Sequence, residues 1–287
     1  MTLSVQDGAL VRCVGKWAQR KIHFLTQYLG IFASGIKVGW EGHIHYIELC
    51  SGPGRCIARD TGTEMDGSPL AVLGHQTFPY LETATFLDYN PAVVQSLNAR
   101  IAALGCAEKA RAVEADFNDT AGLKAVLTSR AARGLALVFI DPTDCSLPFA
   151  SVASIAAALQ KADFIINVAT RTDANRNLKP AILNGDSKAR AKYIRFLGGD
   201  AFFNDSAVIR LAEQGQDTAL RNHFREAYRD ALRGIGYGYF AQESILNYYD
   251  LLFASRHPTG LKFWKKAQQI TPDNERTFDF FTDGTAG

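Results

Sequence analysis

His45-Tyr-Ile-Glu-Leu-Cys-Ser-Gly-Pro-Gly-Arg55 is the stretch on which the fold turns. Tyr46, Ile47 and Leu49 make the short apolar run of a strand buried on both faces, as a parallel sheet requires. Glu48 falls at its carboxyl end, and Gly52 and Gly54 let the backbone turn sharply and approach a ligand closely. In open α/β sheets ligands bind beyond the carboxyl ends of the strands, where the strand order reverses. The stretch therefore predicts a nucleoside pocket built around this turn.

Working outward, the same grammar repeats. Thr83 to Leu87 reads as a second strand ending at Asp88, and Asn90-Pro91 opens a helix to Leu104 that Gly105 closes. Ala110 to Ala115 reads as a third strand ending at Asp116, followed by a helix from Asp119 to Arg130. Leu135 to Ile140 stops at Asp141-Pro142, a helix spans Pro148 to Gln160, and Phe164 to Val168 is a fifth strand. Strand and helix alternating with short connections predict a doubly wound, mostly parallel α/β sheet of seven strands.

Two regions depart from that rhythm. From Gly8 to Phe32, apolar residues at near-helical spacing predict an amphipathic helix, with a loop at Gly35 and Gly39. Ala58 to Gly67 reads as a loop, after which Ser68-Pro69 supplies an N-cap and first-turn proline for a helix to about Thr77. Residues 171–233 are polar and helical and too long for a plain crossover. Tyr237 to Phe240 and Tyr248 to Ala254 read as a late strand pair with an antiparallel member, and a last helix ends near Gln269. The expected organisation is one domain: a helical extension over 8–35, a nucleoside-binding core over 41–170, a helical insertion over 171–233, and the strand pair with its helix over 234–270.

The 287 residues carry 31 Lys and Arg against 29 Asp and Glu, a formal charge of +2. That balance leaves both nucleic acid and small molecules open as partners, since local patches outweigh the total. No apolar run reaches membrane-spanning length, and Met1 to Leu10 lacks a signal-peptide pattern. The five cysteines, Cys13, Cys50, Cys56, Cys106 and Cys145, are scattered, and the six histidines show no ligand spacing. A cytoplasmic protein with reduced thiols and no metal site is expected.

Four of the five early strands end in an acid: Glu48, Asp88, Asp116 and Asp141. On a parallel sheet those ends converge on one edge. A carboxylate at the second accepts both ribose hydroxyls in the dinucleotide pattern, and an acceptor at the third suits an adenine amino group. Helix caps or turns would account for any one of these acids, but the conjunction favours a pocket. No helix N-terminus follows the glycines to hold a pyrophosphate, and an acid precedes them, which favours S-adenosylmethionine over a dinucleotide. Glu48, Gly52, Pro53 and Gly54 are expected at the methionine end, Asp88 and Tyr89 at the ribose, and Asp116 and Phe117 at the adenine. Asp141 is the candidate catalytic residue, orienting or deprotonating the acceptor.

Tyr46 to Arg55, Gly67-Ser-Pro69, Phe139-Ile-Asp-Pro142, Asn175-Arg-Asn-Leu178 and Tyr248 to Gly260, in this order, resemble the three-Cys-motif partner proteins, called TcmP. The similarity runs from about Lys16 to Lys266. It implies a class I S-adenosylmethionine-dependent methyltransferase fold and a partner protein bearing a three-cysteine motif. This chain has Glu48 where that family commonly has Asp, and Cys50-Ser51 where Phe-Ala is common. Thr143-Asp144 replaces the usual Phe-Gly at the place where a methyltransferase meets its acceptor.

Asp141-Pro142 lacks the second proline and aromatic with which amino-methylating nucleic-acid enzymes hold a flipped base. No Pro-Cys occurs, so Cys145 reads as a small buried residue rather than a nucleophile. Arg171 to Arg195 is rich in basic residues, with Tyr193 and Phe196 nearby. This pattern makes Arg171, Arg176, Lys188 and Arg195 a candidate phosphate rim, with the aromatics stacking bases of RNA or DNA. The leading expectation is methyl transfer to nucleic acid; the competing one is a non-catalytic docking partner that keeps the fold.

Overall fold

The computed structural model describes residues 1–270 apart from Glu41, Gly42, Thr128, Asp186 and Asn247. The chain begins with two short strands, β1 (Thr2–Leu3) and β2 (Leu10–Val14), and one long helix, α1 (Trp17–Trp40). Then come β3 (Ile44–Leu49), β4 (Arg55–Ala58), β5 (Glu64–Asp66), α2 (Ser68–Leu73), β6 (Thr83–Asp88) and α3 (Pro91–Ala103). Next are β7 (Ala110–Glu114), α4 (Thr120–Val126), α5 (Ser129–Arg133), β8 (Leu135–Ile140), α6 (Phe149–Ala158) and β9 (Ala162–Val168). Five helices follow: α7 (Asn175–Leu183), α8 (Ser187–Leu197), α9 (Ala201–Asn204), α10 (Ser206–Glu213) and α11 (Asp217–Gly234). The described chain closes with β10 (Tyr239–Ile245), β11 (Tyr249–Ser255) and α12 (Pro258–Gln268).

The large sheet has seven strands in the order β7-β6-β3-β8-β9-β11-β10. β7, β6, β3, β8 and β9 are mutually parallel. β11 runs antiparallel to both of its neighbours. From β3 the chain winds outward to β7, then returns to the other flank of β3 for β8 and β9. The strand order therefore reverses beside β3, and the crevice for a ligand opens at its carboxyl end. β3 and β9 are buried along their whole length, which is why both are mostly apolar, and the polar residues inside them, such as Glu48 and Asn167, are enclosed.

Between Gly8 and Phe32 the expected helix gives way at its start to strand β2. Leu10-Val-Arg-Cys-Val14 satisfies helical spacing at its ends, but its β-branched residues also suit a strand, and a distant partner decides the matter. That partner is β4: β2 pairs with it in parallel, Arg12 opposite Cys56, and β5 folds back antiparallel on β4. The stretch from Ala58 to Gly67, expected as a loop, turns at residues 59–63 but contributes Ala58 and Glu64–Asp66 to a second, four-stranded sheet in the order β1-β2-β4-β5.

The loop expected at Gly35 is absent because α1 runs on through it. A Cβ at Gly35 would lie 2.8 Å from the Phe263 ring, so this glycine serves the close crossing of α1 and α12 rather than a turn. Around that crossing Phe24, Tyr28, Phe253 and Trp264 form one aromatic cluster. The Asp119-to-Arg130 helix divides into α4 and α5. Ser68 is not the cap of α2; Gly67 holds that position, and the Ser68 hydroxyl is committed elsewhere.

Candidate functional site

Gly52 and Gly54 have φ of +69° and +88°, the left-handed region that favours glycine. At Gly54 the backbone is also pressed close: a Cβ would stand 2.8 Å from Leu97 of α3. Cys50 shares the unusual conformation, with φ of 60°, so the turn carries strain of the kind that gathers at ligand sites. Arg100 of α3 holds the turn from behind. It donates to the Pro53 carbonyl at 2.6 Å and the Leu10 carbonyl at 2.7 Å, and twice to the Asp7 carboxylate at 2.8 Å.

Two cavities open at the carboxyl edge of the sheet. They share Arg12, Gly52, Pro53, Pro142 and Thr143 as a common wall. The first has a volume of about 210 Å³. Asp88 and Tyr89 line it on one side, and Val93, Phe117 and Leu123 give it an apolar wall. Asp88 is ordered by the turn itself: its carboxylate accepts from the Gly52 amide at 3.0 Å and the Asn90 amide at 3.1 Å. The second cavity, about 180 Å³, is lined by Gly54, Ser68, Asp141, Asn167, Lys21 and Trp17 among others.

Gly52, Pro53, Asp88, Tyr89 and Phe117 all line the first cavity, and Gly54 and Asp141 the second. Glu48 differs from expectation: it lies behind the wall, with no exposed surface, and lines neither cavity. Its carboxyl accepts from the Tyr46 hydroxyl at 2.8 Å and the Ser68 hydroxyl at 2.5 Å. Burial pushes its pKa up to about 8, so the buried acid holds its proton at neutral pH. Asp116 also differs. It is exposed, folds onto the backbone and side-chain amides of Asn118, and lines neither cavity; Ala115 and Phe117 do so in its place.

Asp141 accepts from Lys21 of α1 with both oxygens, at 2.5 and 2.6 Å, and from Asn167 at 2.7 Å. Nothing in the local sequence marks Lys21 or Asn167. One is a helix cation and the other the penultimate residue of β9, and only the fold brings them to Asp141.

The proposed rim lines neither cavity. Arg171 lies 3.6 Å from Asp250, while Arg176, Lys188 and Arg195 are exposed. Tyr193 and Phe196 are buried, contrary to the base-stacking expectation. They pack with Phe224 and Tyr228 into the core of the insertion. Among the described residues no group of three His, Cys, Asp or Glu is placed to hold a metal, and no helix is long and apolar enough to cross a membrane.

A seven-stranded, mostly parallel sheet of this order, with its cavities at the reversal point, defines the class I methyltransferase fold. Several solved structures are similar to the chain at low identity. A protein from Legionella pneumophila is 12% identical with a TM-score of 0.50, the match covering 91% of this chain and 94% of that one. An O-methyltransferase family protein from Burkholderia thailandensis is 15% identical with a TM-score of 0.42; the match covers 83% of this chain and 56% of that one. The chain thus spans little more than half of the Burkholderia protein. A methyltransferase from Podospora anserina, with S-adenosylhomocysteine bound, is 10% identical with a TM-score of 0.42, over 84% and 88% of the two chains. No protein-family model matches the chain, and no curated protein is similar enough to count as a relative.

Proposed function

We propose that this protein is an S-adenosylmethionine-dependent methyltransferase acting on nucleic acid. The observation that carries the reading is the pairing of Asp88 with the glycine turn. The Gly52 amide fixes one carboxylate oxygen at the mouth of an apolar-walled cavity, at the reversal point of the sheet. The residues fit the cofactor. Asp88 is set to accept the ribose hydroxyls, and Val93, Phe117 and Leu123 to enclose the adenine. Bound there, S-adenosylmethionine supplies a methyl group on a sulfonium sulfur, which keeps the carbon–sulfur electron pair when an acceptor lone pair takes the carbon. Asp141, in the adjoining cavity, is the group that orients the acceptor or takes its proton, and Lys21 and Asn167 position it.

Exposed Arg176, Lys188 and Arg195 support a nucleic-acid acceptor, as does the cationic lining of the second cavity. The competing reading is a non-catalytic partner of a three-cysteine-motif protein. The observation favouring it is that both Asp141 oxygens are already occupied by Lys21. Methyl-labelled S-adenosylmethionine offered with bulk RNA, DNA and protein separates the two: label in RNA or DNA is expected, and label in none of the three, despite cofactor binding, would leave the docking role. The rim has its own measure. Each phosphate contact contributes about 0.7–0.9 to the slope of log affinity against log salt, so replacing Arg176 and Lys188 together should lower it by about 1–2. An unchanged slope would remove the insertion from the nucleic-acid interface.

A further inference from the structure

The insertion keeps its aromatics inside, but another part of the surface combines rings with cations. Trp17, the first residue of α1, and Tyr249, the first residue of β11, both line the second cavity, and their rings stand 5.9 Å apart. Tyr248, exposed beside it, packs on Trp17 at 4.5 Å and extends the aromatic wall to the surface. Flat rings of this kind stack bases without regard to sequence.

The charge of the cavity is the second observation. Lys21 and Asp141 neutralise each other at 2.5 Å. Arg12 and Arg59 also line the space, and among the described residues neither guanidinium has a hydrogen-bond or ion-pair partner. Two unpaired guanidiniums on one cavity call for an anion, and a guanidinium fork suits phosphate.

The third observation lies at the floor. Asn167 is 1% exposed and lines the cavity. Its amide nitrogen donates to Asp141 at 2.7 Å and to the Pro142 carbonyl at 3.2 Å. Turning the amide over would set its oxygen against a carboxylate, so the orientation is fixed. The Oδ1 atom is buried and has no partner. A buried acceptor left unpaired is costly, and the natural remedy is a ligand N–H.

We propose that the second cavity is the acceptor pocket and takes one nucleotide. An amino-bearing base, adenine or cytosine, enters ring first against Trp17 and Tyr249. Its amino group donates to Asn167, beside Asp141, and its phosphate stays near the mouth on Arg12 and Arg59. The order of groups follows from burial, since Asn167 is enclosed and Arg59 is exposed. This rests on the nucleic-acid reading above and names the unit that reading would present.

Titration calorimetry on the full chain saturated with S-adenosylhomocysteine tests the pocket, with AMP, CMP and a short single-stranded RNA as probes. At least one mononucleotide is expected to bind, and Arg59→Ala, at an exposed position, to weaken it about tenfold and flatten its salt dependence. The matching nucleotide without its amino group is expected to bind about tenfold more weakly to the wild type, because Asn167 then stays unpaired. Binding of the RNA alone, still dependent on Arg59, supports the pocket with a nucleotide presented within a strand. Binding by no probe, or binding indifferent to both Arg59 and the amino group, overturns it. Repeating the titration without S-adenosylhomocysteine keeps the two readings apart. A chain that takes nucleotides but no S-adenosylhomocysteine retains this pocket and loses the transferase assignment; a chain that takes only S-adenosylhomocysteine does the reverse.

Discussion

Glu48 sits wholly inside the protein, and burial sets its carboxyl near 8 against an ordinary value of 4.5. Its folded pKa is raised, so its contribution to stability is complete below about 4.5 and is lost as pH rises through 8. Urea unfolding of the wild type is therefore expected to weaken between pH 5 and 8.5 relative to Glu48→Gln, by an amount on the order of a few kcal/mol. Parallel pH profiles for the two proteins would show that the acid is not held protonated. Asp88 plays the opposite part, open to the cavity with its oxygens directed by backbone amides. Asp88→Ala is expected to weaken S-adenosylhomocysteine binding by about 1.5–3 kcal/mol, the worth of a charge-assisted contact. Equal affinity in calorimetry would remove the ribose assignment. Both acids were legible in the sequence, because each ends an apolar run just where a parallel sheet gathers its carboxyl ends. Their different roles were not: what buries Glu48 is Tyr46 and Ser68, and no spacing announces that Ser68 will bond an acid rather than cap a helix.

Among the elements, strands β3, β6 and β8 could be read directly, since burial on both faces leaves an apolar run bounded by turn residues. β2 could not. Its five residues fit two periods, and the pairing that decides between them joins Arg12 to Cys56. Gly35 misled for a related reason, as a glycine inside a helix looks like a break until the crossing partner is known. The insertion taught a third version: basic residues interleaved with aromatics describe a binding face and an amphipathic helix equally well. Phe196 lies stacked on Tyr228 at 4.5 Å and on Phe224 at 5.7 Å. Phe196→Ala is expected to cost about 3–5 kcal/mol in urea unfolding, as a cavity in a packed core does. A loss below 1 kcal/mol would return this ring to the surface role first expected of it.

For the molecule as a whole, the N-terminal segment is part of the site rather than an appendage. Arg12 lines both cavities, and Met1 lines the first. Arg100 ties the segment down, joining Asp7, the Leu10 carbonyl and the Pro53 carbonyl through one side chain that is 5% exposed. The same guanidinium holds the Asp7 carboxyl well below its ordinary range, a contribution present at neutral pH and lost as pH falls through that depressed value. Arg100→Met is expected to lower stability by on the order of 2 kcal/mol or more, by leaving buried carbonyls unpaired, and to weaken S-adenosylhomocysteine binding as well. If stability fell while binding held, the tie would be shown to serve the fold alone.

The small sheet also dictates an order of events in time. β2 precedes β3 in the chain and β4 follows it, so the two can meet only after the central strand and its turn have brought them together. Closing such a loop is entropically costly until the surrounding structure exists. The pocket should therefore be the last thing to mature when the unfolded chain is diluted out of denaturant. Far-ultraviolet circular dichroism is expected to recover first, with the capacity to take up S-adenosylhomocysteine returning in a distinct, slower phase. Recovery of both in a single phase would mean that the two sheets assemble as one.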